Sequence, residues 1–318
     1  MTNILITWTS GFIWFHTAKR LLDLGENIIW FDNENDYYDV DLKIARRNIL
    51  EGSPNFKFYK WSLEHLEELQ LIFEENKIEK IIHLAAQWGV RYSITHPFTY
   101  IQSNLVGFHN IIELARQHTI KNFIYASSSS VYWDNTKQPS SVDDRADHPI
   151  SLYAATKKAD ELIAYSYSHT FGLPTIGLRF FTVYGPWGRP DMAYFSFTRK
   201  ILSGEAIDVY NNGHMKRDFT YIDDIVDGII KALNYETHYE IFNLWNDHPE
   251  ELEHLISYLW DNLWKNVKKI YLPLQDGDVI STRSDIDHTK EKLWWEPKTF
   301  LKDGIKWFAD RYKSFYNV

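Results

Sequence analysis

The first half of the chain alternates short apolar strands with helical periods, and this alternation restricts the fold more than any other feature. Ile4–Thr7, Asn27–Phe31, Phe56–Tyr59, Lys80–Leu84, Asn122–Ala126 and Thr175–Arg179 read as strands. Helical apolar spacing covers Phe12–Leu24, Leu63–Glu75, Val106–Gln117 and Tyr153–Phe171. Strands separated by helices run parallel, and the helices cover both faces of their sheet. The predicted class is therefore α/β, a doubly wound parallel sheet that takes ligands at the carboxyl ends of its strands. After about residue 186 the pattern changes to shorter apolar pieces, turns rich in Gly, Pro and Asn, and two late helices, Glu251–Leu263 and Lys302–Phe315. A smaller α/β cap packed over the sheet's ligand edge is expected there.

Composition narrows the function. With 44% hydrophobic and 24% charged residues the chain reads as globular. A net charge of −9 argues against a nucleic-acid partner. The absence of cysteine rules out disulfides, zinc–thiolate sites and a cysteine nucleophile, and fits a reducing cytoplasm. The 13 histidines show no ligand spacing, so no metal is expected. The opening MTNILITW predicts no signal peptide, and no apolar run is long enough to cross a membrane.

The first strand runs into Thr7-Trp8-Thr9-Ser10-Gly11-Phe12-Ile13-Trp14, and the second closes on Asp32. The placement is that of a dinucleotide-binding turn, with an acid beyond it to accept from ribose hydroxyls. Such a turn uses glycine for the bend, for approach of the diphosphate and for helix–strand packing. Only Gly11 is present, and Trp8 and Trp14 stand at the other two places. Overpacking by even a few methylenes costs about 1–3 kcal/mol. Taken alone, the segment is equally consistent with a corner that binds nothing.

Eight segments in order carry a resemblance that spans Ile4 to Tyr312. They are DNENDYYDVDLK (32–43), HLAAQWGVRYS (83–93), SNLVGFHNI (103–111), YASSSSVYW (125–133), DHPISLYAATKKADEL (147–162), LRFFTVYGPWGRPDMA (178–193), DVYNNGHMKRDFTYIDDIVDGI (208–229) and LPLQDGDV (272–279). The chain resembles the extended short-chain dehydrogenases/reductases that epimerise nucleotide sugars, most closely UDP-glucuronate 4-epimerases. The resemblance implies a Rossmann-type NAD-binding domain over 1–185, to which some later segments return, and a nucleotide-sugar-binding domain over 186–318. It implies NAD held by Gly11, Phe12, Ile13, Asp32, Asn33, Ala85, Ala86, Asn104, Tyr153 and Lys157. Ser62 stands where related chains often carry an Asp that contacts adenine.

Against this family, Trp stands where Gly is usual at positions 8, 14, 30, 133, 245, 264 and 294. Trp187, inside a matched segment, reads as genuine, and Trp295 and Trp307 are compatible with the family. The chain has 14 Gly and 13 Trp. Glycine at those seven positions would bring its content near the usual level of about 7%. A glycine codon decoded as tryptophan is one explanation; a real chain with an occluded turn is the other.

Tyr153 and Lys157 form Y-x-x-x-K, and at i and i+4 on a helix they share a face. By itself the pattern is weak. Together with the upstream serine run, an ammonium and a nicotinamide ring beside the phenol favour tyrosinate, a base for a sugar hydroxyl proton. The run Ser127–Ser130 ends the fifth strand, where serines also commonly cap loose backbone groups. The resemblance places the catalytic hydroxyl at Ser128 and makes Ser129, Ser130 and Thr182 candidates for a C6 carboxylate. Related dehydratases carry an Asp-Glu pair after the hydroxyl residue, and related decarboxylases a Glu. Residues 128–132 here are Ser-Ser-Ser-Val-Tyr, with no acid.

For the UDP half, the resemblance implies Arg189, Arg217 and Asp278, with Val209 and Tyr210 near the uracil. Arg91 falls near the mouth of the site. A cytoplasmic homodimer that epimerises UDP-glucuronate to UDP-galacturonate is expected. The alternatives are a UDP-glucose or UDP-N-acetylglucosamine 4-epimerase, or an inactive scaffold if Trp8 and Trp14 are genuine.

Overall fold

Residues that are apolar on both faces make strands that only a doubly covered sheet can bury. The computed structural model, which describes residues 1–7, 11–133, 135, 137–274 and 282–318, places six such strands where the sequence puts them. They are β1 (Asn3–Thr7), β2 (Asn27–Phe31), β3 (Phe56–Tyr59), β4 (Lys80–His83), β5 (Asn122–Ser128) and β6 (Thr175–Phe180). All seven residues of β5 are buried. With β10 (Tyr239–Leu244) they form one seven-stranded sheet in the order β10-β6-β5-β4-β1-β2-β3, parallel throughout. Strand order reverses between β1 and β4, which opens a crevice at their carboxyl ends. The expected Rossmann-type sheet is present.

Helices α1 (Phe12–Asp23), α2 (Val40–Glu51), α3 (Leu66–Glu75), α6 (Gly107–Gln117), α7 (Leu152–Phe171) and α9 (Ile222–Leu233) cover it. Two apolar cores result. One lies under α1 and α9, with Ile4, Ile6 and Phe15 buried. The other lies under α3 and α6, with Leu5, Ile81 and Phe108 buried. Each fully buried side chain of this kind stabilises by about 1.5–3 kcal/mol. Helix α2 was not expected. Its start is set by Asp39, whose carboxylate accepts from the backbone N–H groups of Asp41 at 3.0 Å and Leu42 at 3.2 Å. The expected helix over Val106–Gln117 starts one residue later. It continues α4 (Val90–Thr95) and α5 (Pro97–Tyr100) through a π-helical turn at Ile101–Val106.

Two small sheets rise beyond the carboxyl edge. One holds β7 (Thr182–Tyr184), β9 (Lys216–Tyr221) and β11 (Pro249–Glu251); the other pairs β8 (Ala206–Val209) with β12 (Lys268–Tyr271). Helices α8 (Ala193–Leu202), α10 (Leu252–Leu263), α11 (Asp287–Leu293) and α12 (Leu301–Tyr316) complete the chain. Among the described residues, no helix is long and apolar enough to cross a membrane.

Candidate active site

The main cavity of the carboxyl edge sits in the crevice that the strand order predicts, with a volume of about 950 Å3 including its open mouth; a wider groove of about 1710 Å3 lies away from it, between α1, α9 and residues 307–314. Its floor is the β5–α7 corner. Ser151 caps α7 by accepting from the Ala154 N–H at 3.1 Å, which brings Tyr153 to the first turn, over the end of β5. Tyr153, Lys157, Ser127 and Ser128 all line the cavity. Lys157 is buried, and its Nζ donates to the Ala126 carbonyl at 3.0 Å and to Asp160 at 3.2 Å. Burial pushes the Asp160 carboxyl up to about 7, against the pull of Lys157. Ser128 Oγ accepts from the Ser130 N–H at 3.2 Å and from the Ser130 hydroxyl at 3.0 Å. Its own hydrogen is therefore left for a ligand.

This floor rests on a buried ion pair. Arg179, on β6, gives two hydrogen bonds of 2.8 Å to Glu161, and Ser127 Oγ donates to the same carboxylate at 2.6 Å. Burial alone would raise the Glu161 carboxyl, but the guanidinium outweighs it and holds it below its usual range. Arg179 also donates to the Tyr132 hydroxyl, which donates to Asn243 at 2.9 Å.

The opposite wall is cationic and aromatic. Arg189 lines the cavity, with its guanidinium 3.3 Å from the centre of the Trp88 ring and paired with Asp191 at 2.7 and 3.1 Å. Lys43 reaches in from α2, held by the Asn35 carbonyl at 2.5 Å and side chain at 2.9 Å. Burial lowers its pKa from the usual lysine value. Arg46, one turn on, donates to the Trp187 carbonyl at 2.5 Å, the Gly188 carbonyl at 3.1 Å and the Tyr38 hydroxyl at 2.8 Å. It thereby ties α2 to the loop that carries Arg189.

The third side is the start of α1. Gly11, Phe12, Ile13 and Trp14 border the cavity, and Gly11 caps α1 with no side-chain hydrogen bond. First-turn N–H groups that no side chain caps favour an anion. The Trp14 indole folds back on this turn, 2.5 Å from where a Cβ on residue 11 would lie.

A protein-family model described as the NAD dependent epimerase/dehydratase family matches residues 4–244. The chain belongs to this family. It is 43% identical to UDP-glucuronate 4-epimerase 3 of Arabidopsis thaliana, across 99% of this chain and 77% of that protein. It is 41% identical to a probable UDP-glucuronate 4-epimerase of Rhizobium meliloti, across 98% and 97% of the two chains. The solved UDP-glucuronic acid 4-epimerase from Bacillus cereus, in complex with UDP-glucuronic acid and NAD, superposes with a TM-score of 0.90 at 30% identity, over 99% of this chain and all of that one.

The family's dinucleotide fits this crevice at both ends. Asp32 and Asn33 share a small depression with Ser62 and Ser103, separate from the main cavity. Small side chains, Ala86 and Ala126, border the main cavity beside Lys157. Between these ends, the Trp14 ring narrows the diphosphate path.

The other expected residues are placed differently. Ala85 lies behind the cavity, its N–H bonded to Thr7 at 3.1 Å. Asn104 is buried and spends its amide on the Gln87 backbone, at 2.6 and 3.0 Å, and on Thr156 at 3.0 Å. That makes it a brace between the loop after β4 and α7 rather than a cavity wall. The π-helical turn aims it there. Ser129 and Ser130 are buried behind Ser128, and Thr182 is half-buried at the start of β7. Arg91 is exposed on α4, Arg217 lies on β9, and Val209 is buried at the end of β8; none of the three lines the main cavity. Asp278 lies outside the described residues. Sequence reasoning missed Tyr37, Tyr38, Lys43, Trp88 and Met192, which line the cavity. The signal for three of these was the DNENDYYDVDLK segment, whose aromatic and basic residues had been given no role.

Proposed function

We propose that this protein is an NAD-dependent 4-epimerase of UDP-glucuronate, giving UDP-galacturonate through a transient 4-keto sugar. The observation that carries this reading is the cavity lining: Tyr153, Lys157 and Ser128 face it and, among the described residues, no carboxylate lines it to eliminate water, the nearby acids Asp160 and Glu161 being buried and held by Lys157 and Arg179. NAD, which Gly11, Phe12, Ile13, Asp32 and Lys157 would hold, would supply a hydride acceptor at sugar C4 that is restored within each turnover and so would not be consumed. Tyr153 takes the C4 hydroxyl proton and later returns it. Ser128 donates to the same oxygen as its charge changes. Lys157, anchored at Ala126 and Asp160, sits one helical turn from Tyr153, beside the reacting groups.

Arg189 exchanges Asp191 for the substrate diphosphate, which its planar donors suit. Arg217, Asp278, Val209 and Tyr210 serve the uridine side, and Ser129, Ser130 and Thr182 the C6 carboxylate. Incubating the purified protein with UDP-glucuronate and, separately, UDP-glucose tests the reading. UDP-galacturonate is expected from the first; turnover of UDP-glucose alone would replace the reading with a neutral-sugar epimerase. The indole over the α1 turn favours one rival, an inactive scaffold, which NAD co-purifying with the protein would dispose of.

The assembly is a homodimer in this reading. Ile94 on α4 and Phe98 on α5 are 76% and 83% exposed, beside Leu162 and Tyr165 on the outer face of α7. A second copy of this face covers them. A monomer in analytical ultracentrifugation would refute it. We place the enzyme in the cytoplasm with its soluble cofactor, which cell fractionation checks.

A further inference from the structure

The tryptophans of this chain fall into two groups by what their side chains do. Trp295 is 1% exposed, and its Nε1 donates to the Asp224 carbonyl at 2.8 Å. Trp187 has φ of 61°, but its ring packs on Phe15 and Phe315, with the Arg311 guanidinium over its face. These indoles are used.

Others are not. Helices α10 and α11 end on Trp264 and Trp294, in the left-handed region at φ 57° and 51°, with 87% and 86% of each residue in solvent. That conformation is disfavoured by a Cβ and is filled at helix ends chiefly by glycine. Helix α7 ends the same way on a real glycine, Gly172, at φ 69°. Neither indole is among the rings with an aromatic or cation partner among the described residues. Trp30 is 0% exposed in the middle of β2 with its ring edge-on to Phe56 and Phe58, yet its Nε1 has no hydrogen-bond partner among the described residues. Trp133 Nε1 is in the same state at the end of the turn after β5. Trp14 lies on the turn at Gly11. Trp245 is intermediate: its Nε1 reaches the Arg179 carbonyl at 2.7 Å, yet its ring centre lies 3.8 Å from that of Phe181. Aromatic pairs usually keep about 4.5–7 Å.

We propose that the polypeptide made in its source organism carries glycine at positions 14, 30, 133, 264 and 294, and by the same pattern at 8 and 245. The cause is a UGA codon that the source reads as glycine and that has been rendered as tryptophan. Position 8 lies outside the described residues and joins on the sequence pattern alone. One cause accounts for two left-handed helix ends, two stranded indole N–H groups and a covered diphosphate turn. It also separates neighbours: position 294 is glycine and Trp295 is real.

That adjacency gives the test, which reads residue identity and not activity, so it stands apart from the epimerase reading. Trypsin releases residues 293–298 as one peptide. Mass spectrometry of the protein purified from its source is expected to read glycine, then tryptophan, after Leu293. Two tryptophans would overturn the proposal, as would UGG codons at 264 and 294. In recombinant protein of the present sequence, W264G with W294G is expected to raise Tm by a few degrees and W295G to lower it. A lower Tm for W264G with W294G would count against the proposal.

Discussion

The two ends of the cavity are finished in opposite ways. At the β5–α7 corner Ser127, Glu161, Arg179 and Tyr132 answer one another through side-chain hydrogen bonds. At the start of α1 the described residues offer uncapped first-turn backbone, and the Trp14 ring lies against it. A corner built from paired charges tolerates no single loss. A corner built from bare backbone tolerates no added bulk.

The largest effect sharpens the first half of that comparison. Tyr153→Phe is expected to lower kcat by about 10²–10⁴-fold, the usual worth of a positioned acid–base, with Tm unchanged. A variant that keeps most of its kcat would remove Tyr153 from the chemistry. Breaking the support beneath it is next. Arg179→Met leaves buried Glu161 with only Ser127 and Lys158, at 2.6 and 3.1 Å, and loss of one member of a buried pair costs about 3–5 kcal/mol. Urea unfolding reads this, and a loss below about 1 kcal/mol would mean that the pair is wet. At the other corner the sign reverses. Trp14→Gly is expected to tighten NAD binding by about tenfold, or 1.4 kcal/mol, in titration calorimetry. Weaker binding would show that the indole is a wall the dinucleotide uses.

The smallest effect is a control outside both corners. Asp218, on β9, accepts the backbone N–H groups of Asn246 and Asp247. Burial raises its carboxyl to about 7 from the usual 3.8, against those two hydrogen bonds. The folded state therefore holds a proton that the unfolded chain releases. Its stabilisation is complete below the unfolded value of 3.8 and is lost as pH rises through about 7. The Tm of the protein should fall across that window more steeply than that of Asp218→Asn. Parallel curves would place the titration elsewhere.

Much of this architecture could be read from the residues. The strands other than β3, whose FKFY is a partly exposed edge, are mainly apolar runs between turn signals, and one period decides each of them. The Y-x-x-x-K pair and the serine run are close in sequence to the elements that carry them, so their meeting follows from parallel order alone. The cationic wall could not be read that way. Arg189 meets Trp88 across 101 residues, and Lys43 needs α2, whose start depends on one Asp39 cap. The hydrogen bonds of Asn104 to Gln87 and Thr156 were hidden for a related reason: no periodic rule foretells a π-helical turn. What depends on a crossing of distant loops leaves no local pattern.

The Arg46 clasp bears on how a substrate gets in. Two hydrogen bonds from one buried guanidinium, to the Trp187 and Gly188 carbonyls, fasten the 187–188 loop to α2. Swinging that loop outward would take both acceptors from a buried charge. Admission to the pocket is then a matter of small local moves, the Arg189 head leaving Asp191 and sliding on the Trp88 face, within a frame that stays shut. Turnover limited by a slow opening of the whole jaw is not what such a frame produces.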